Sequence, residues 1–139
     1  MLRWLIGTPV TDLIPSVGLL LFRIVFGSFM LMGHGWGKLM SYGEMSTSFP
    51  DPLGIGSGPS LIGAIIGEVV CSALVMLGLA TRFFVLPLVF TMIVAAFVVH
   101  GGDPFATKEL ALVYLSAFAL LYFTGPGSFS IDRLFNKSK

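Results

Sequence analysis

Two ionisable residues, Arg23 and Glu68, stand inside apolar runs long enough to cross a membrane. A charge in the hydrocarbon costs about 2.5–3.5 kcal/mol on insertion scales, so such residues mark a pairing or a reaction. Two roles fit them. As a structural ion pair, Arg23 and Glu68 lock the first apolar stretch to the second. As chemistry, Glu68 carries a proton in a field set by Arg23. At about 1.5 Å per residue, Arg23 lies about 10 Å and Glu68 about 18 Å from the same end of the bundle, a gap that an arginine side chain largely closes.

His34 extends the pattern. Eleven residues at about 100° each return it to within about 20° of the direction of Arg23. Arg23, Gly27, His34 and Lys38 therefore form one polar stripe, which faces the interior because a lipid-facing stripe is costly. His100 ends the third apolar stretch and Glu109 opens the fourth, both on the side of His34. His34, His100, Glu109 and Lys38 are expected to converge at one mouth, with Glu68 and Arg23 beneath. A histidine and a carboxylate at that depth suit a polar cavity or a proton path. Alternatively the histidines only bond loop carbonyls. No HxxxH or ExxH pair sits on one helix, so no metal site is assigned.

The elements that must position these residues follow from composition. Of 139 residues, 55% are hydrophobic and only 11% charged, and the mean hydropathy is +0.94. A soluble domain carries about 25% charged residues, so the solvent of this chain is lipid. A net charge of +1 excludes a basic surface for nucleic acid. The single cysteine, Cys71, excludes an internal disulfide or a CxxC motif and reads as a small buried apolar residue. Four stretches are long enough to span, at about residues 16–38, 60–80, 83–100 and 108–123, punctuated by Ser57-Gly58-Pro59-Ser60, Thr81-Arg82, Gly101-Gly102-Asp103-Pro104 and Gly125-Pro126-Gly127. Backbone groups in lipid must be satisfied within each segment, so the fold is an all-α membrane four-helix bundle, a single domain over 1–139.

Pro9, Asp12 and Pro15 interrupt the N-terminal stretch, which reads as a retained interfacial segment rather than a signal peptide. In the tail, Ile131, Leu134 and Phe135 share a face while Asp132, Arg133 and Lys137 are expected in water. Arg3, Arg82, Arg133, Lys137 and Lys139 fall on one side and only Lys38 and Lys108 on the other, which puts both termini in the cytoplasm. Gly63 and Gly67 form a GxxxG pattern expected to admit the first helix against the second. Pro87 is expected to kink the third helix or mark its first turn. Trp36 and Tyr42 read as interfacial anchors.

His34-Gly35-Trp36-Gly37-Lys38, after a helix carrying Leu21-Phe22-Arg23, resembles the DoxX family of small bacterial integral membrane proteins. Phe49-Pro50, Gly67-Glu68, the run from Leu77 to Arg82, His100, Glu109 and the closing run from Gly125 to Asp132 extend the resemblance over nearly the whole chain from Gly18. It implies a multi-pass inner-membrane protein related to the DoxD-type subunit of thiosulfate:quinone oxidoreductase and to membrane partners of thiol and oxidative-stress enzymes. By position, Arg23, His34, Lys38, Glu68, His100 and Glu109 are the family-like polar residues. Without a cysteine pair, thiol chemistry needs a partner.

The function expected from residues and resemblance together is a redox-associated subunit that binds quinone or relays protons for a partner oxidoreductase. Glu68, His34 and His100 are its candidate catalytic residues, and Arg23, His34, Lys38, Trp36 and Glu109 its candidate quinone contacts. No haem, flavin or iron–sulfur ligand set is evident, so electrons enter from elsewhere and the chain is at most a subunit of an enzyme. The alternatives are a carrier or channel for a small solute, proton or anion, with Arg23 as the anion contact, and a scaffold with no chemistry of its own. Four helices would need a homo-oligomer to form a transport pathway.

Overall fold

The computed structural model describes residues 12–137. The first eleven residues of the expected interfacial segment, with Arg3, and also Lys139 lie outside the described residues. Helix α1 spans Leu13–Met40, α3 Ser57–Leu77, α4 Thr81–Val99 and α5 Phe105–Thr124, four helices long and apolar enough to cross a membrane. Two short helices, α2 over Tyr42–Met45 and α6 over Ile131–Lys137, complete the set among the described residues. The fold is all-α, as the apolar runs dictate.

Consecutive long helices pack on one another, and α5 closes the bundle against α1. The core is a column of Met30, Cys71, Val75, Leu88, Tyr114, Phe118 and their neighbours. Outward faces carry exposed apolar side chains such as Phe29, Phe97 and Leu120, as a lipid solvent requires. Close approach of α1 and α3 depends on two glycines of α1. A Cβ on Gly27 would strike the Met76 side chain, and one on Gly35 would come within 2.7 Å of Val69 Cγ2. The GxxxG glycines serve a different contact from the one expected. Gly67 faces α4, where its Cβ would lie 3.0 Å from Thr91 Oγ1, and Gly63 has nothing within 4 Å.

Each of three long helices contains a π-helical turn, at Leu31–Gly35, Ile66–Cys71 and Val94–Val99. Turns of this kind are frequent at functional sites, and these hold His34 and Glu68 and end at His100. Pro87 lies inside α4, where its carbonyl accepts the Thr91 hydroxyl at 2.8 Å.

The end bearing the described C-terminus is stapled. Gly78 ends α3 in the left-handed region with φ of 70°, and Ala80 follows at φ of 42°, a costly conformation for a residue with a Cβ. Asp132 holds it there, accepting from the backbone N–H of Ala80 at 2.6 Å and of Thr81 at 3.0 Å. Asp132 is thus buried rather than in water, because its carboxylate caps the start of α4. Arg82 is buried too, donating to the carbonyls of Tyr122 and Phe123 at the C-terminus of α5.

Candidate functional site

Arg23 and Glu68 do not meet. Gly35, not Arg23, faces Glu68 across the α1–α3 contact, and twelve residues of helix separate Arg23 from that level by about 18 Å. The side chain of Arg23 turns the other way. Fully buried, it donates through Nη2 to the Phe129 carbonyl at 2.5 Å, with Asp132 in its field. A Cβ on Gly78 would fall on the guanidinium, so this glycine leaves room for the cation against the carbonyl end of α3, where the helix dipole favours positive charge. Arg23 is therefore part of the staple. The expected ion pair fails because α1 runs beyond the end of α3, so residues at equal distances from their helix ends do not lie level.

Glu68 takes another partner. Lys38, one turn beyond Gly35, reaches its Oε2 with Nζ at 2.5 Å. The pair bridges α1 and α3, with the Glu68 side chain 5% exposed and that of Lys38 20%. A carboxylate this deep needs such a cation, since an unpaired charge in a dry site is the costly state.

Lys38 and Glu68 line a cavity of about 430 Å³ at the loop end of the bundle, a size at which small-molecule sites occur. Its other walls are α4 from Pro87 to Val99 and the loop from Phe49 to Ile55, with Gly63 and Ala64 on the α3 side. His100 stands at its rim and bonds Asp103 through Nδ1 at 2.8 Å. Apolar side chains dominate the lining, and Thr91 and Ser60 add hydroxyls.

Of the polar residues expected to converge, Lys38, Glu68 and His100 share this cavity and the others do not. His34 packs edge-on against Tyr114 of α5, with ring centroids 5.4 Å apart at 89°, and lies within the fields of Glu68 and Lys38. It sits beside the pair rather than in the cavity lining. Glu109 is exposed on α5. Trp36 is 51% exposed near the loop end of α1.

Tyr114, Thr91 and the loop that walls the cavity carry roles that the residue pattern did not single out. Tyr114 is buried, and its signal was a phenol in the middle of an apolar run. The loop is organised by Asp51, which accepts from the Ser60 hydroxyl at 2.8 Å, from Gly56 N–H at 2.7 Å and from Ile55 N–H at 3.0 Å. The Ser60 hydroxyl, with the backbone N–H groups, holds the Asp51 carboxyl below the usual carboxylate range. Among the described residues no group of three or more His, Cys, Asp or Glu is placed to hold a metal ion.

The family model described as DoxX matches residues 18–101, a segment that contains Lys38, Glu68 and His100. The chain is similar to a protein named inner membrane protein YqjF from Escherichia coli (strain K12), with 30% identity over 130 residues, 89% of this chain and 96% of the relative. No solved structure matches. Four apolar spans and this likeness are consistent with a multi-pass bacterial inner-membrane protein.

Proposed function

The chain belongs to the DoxX family, and we propose that its loop-end cavity binds the headgroup of a quinone and passes protons to or from it for a partner oxidoreductase. One observation carries this reading, the Lys38–Glu68 pair set into the wall of an otherwise mostly apolar cavity at membrane depth. A quinone needs an apolar slot for its ring, a donor for a carbonyl oxygen and an acceptor for a hydroxyl. Lys38 Nζ offers the donor and Glu68 Oε2 the acceptor. When bound, the quinone supplies two-electron, two-proton redox chemistry.

The residues of this chain position the headgroup and move protons. Lys38 and Glu68 hold a proton between them, and His100 at the rim connects the cavity to the loop surface through Asp103. His34 flanks the pair from α1, packed against Tyr114 and within the fields of Glu68 and Lys38. Trp36 and Glu109 are contacts for the partner or the membrane surface in this scheme, and Arg23 secures the far end of the bundle. With Arg82, Arg133 and Lys137 near the termini end, the positive-inside rule places that end in the cytoplasm and opens the cavity on the opposite side.

The test is co-purification. Wild-type protein taken from its membrane in mild detergent should retain quinone detectable by mass spectrometry of a solvent extract, and Lys38→Met and Glu68→Gln should lose it. Equal retention in folded Lys38→Met and Glu68→Gln would remove the pair from the site, and absence from all samples would remove the quinone.

A further inference from the structure

We propose that the cavity is a slot open to lipid, whose occupant is an uncharged amphiphile that enters from the bilayer, brings its polar end to the Lys38–Glu68 pair and leaves its hydrocarbon chain between α3 and α4 beside Phe90. This deepens the reading above, since the same polar pair forms the inner end of the slot.

Phe90 carries the lateral opening. It lines the cavity and is also 53% exposed. It stands nine residues into α4, about 13 Å along a helix long and apolar enough to cross the membrane. A cavity wall that surfaces at that depth opens onto acyl chains, where a water-soluble solute has no access. The packing of α3 and α4 shows how the opening arises. Their contacts concentrate where residues 66–77 of α3 meet 81–93 of α4. At Gly67 the helices touch, with room for no added Cβ short of Thr91, whereas one turn further on Gly63 faces open space. Beyond that contact the two helices form a wedge that widens toward the loop end, with Gly63 and Ala64 keeping it clear and Phe90, one residue before Thr91, at its narrow inner edge.

The charge of the lining selects the head. Lys38 and Glu68 neutralise each other, and the remaining titratable group of the lining, His100, is bonded to Asp103. A phosphate or carboxylate head would have to break the Lys38–Glu68 pair and lie next to a displaced carboxylate, a costly exchange in a site of low dielectric. An uncharged carbonyl or hydroxyl head bonds to the pair as it stands.

The test uses the full chain with Cys71→Ala and Gly63→Cys, reconstituted in phosphatidylcholine–phosphatidylglycerol nanodiscs and labelled with a nitroxide at the new thiol. Oxygen, which dissolves in the bilayer, should relax the nitroxide several-fold more effectively than a water-soluble nickel chelate. Stronger relaxation by the chelate would overturn the lateral opening. Should Gly63→Cys not fold, Val94→Cys reads the slot from the α4 wall. Added decyl-benzoquinone should reduce the oxygen effect, and dodecyl phosphate should not. Protection by dodecanol but not by the quinone would uphold the slot while removing the quinone from it. Protection by dodecyl phosphate alone, or by no probe, would overturn the uncharged occupant.

Discussion

Gly35 of α1 stands so close to the backbone of Glu68 on α3 that a Cβ there would lie 2.9 Å from the Glu68 carbonyl carbon and 3.0 Å from its oxygen. That contact sets the level at which α1 and α3 meet. One turn on, it places Lys38 where its ammonium reaches the Glu68 carboxylate.

Gly35→Ala should therefore push the helices apart and lower unfolding stability by about 1–3 kcal/mol, the usual cost of overpacking. Gly33→Ala and Gly37→Ala have nothing within 4 Å of the added carbon. They should be neutral or gain up to about 1 kcal/mol from helix propensity. Denaturant titration of the three proteins in mixed micelles checks this, and equal losses would rule out a special role for Gly35.

Lys38 and Glu68 should be coupled in a double-mutant cycle. Lys38→Met strands a carboxylate that is nearly buried, with a loss below the about 3–5 kcal/mol of a fully buried pair because Lys38 keeps some solvent. Adding Glu68→Leu should recover much of that loss. Arg23→Gln and Glu68→Gln should instead add to within about 0.5 kcal/mol, since the residues share no contact. Coupling in the second cycle and additivity in the first would reverse the assignment of partners.

Asp132→Ala should destabilise the protein by about 1–3 kcal/mol, because it leaves the Ala80 and Thr81 N–H groups without their acceptor. Native-state hydrogen exchange locates the damage. Protection should fall at the α3–α4 turn and stay unchanged at the Lys38–Glu68 level.

The loop walling the cavity should respond to acid. The Asp51 carboxyl is depressed in the folded loop by the Ser60 hydroxyl and by backbone N–H groups. Its contribution is therefore complete above the ordinary carboxylate pKa and is lost as pH falls through the lower, folded value. Proteolytic nicking between Phe49 and Pro59 should rise only at acid pH in the wild type, whereas Asp51→Asn should be nicked more readily at neutral pH as well. A wild-type rate independent of pH would exclude Asp51 as the loop's clasp.

The amino-acid sequence by itself determined the solvent, the all-α class and the presence of four long helices, because each depends on the hydropathy of a continuous run. It also marked Lys38, Glu68 and His100, since a charge or imidazole in such a run is costly enough to stand out. It could not assign partners. Whether Glu68 meets Arg23 or Lys38 depends on the axial offset of α1 against α3, and Gly27 and Gly35 set that offset by a close approach that no hydropathy pattern contains. Arg23 and Asp132 ended in the termini-end staple because Gly78 leaves space for one and the strained turn at Ala80 needs the carboxylate of the other. The cavity was likewise a tertiary outcome, created where α3 and α4 diverge beyond Gly67 and a loop held by Asp51 walls the space between them.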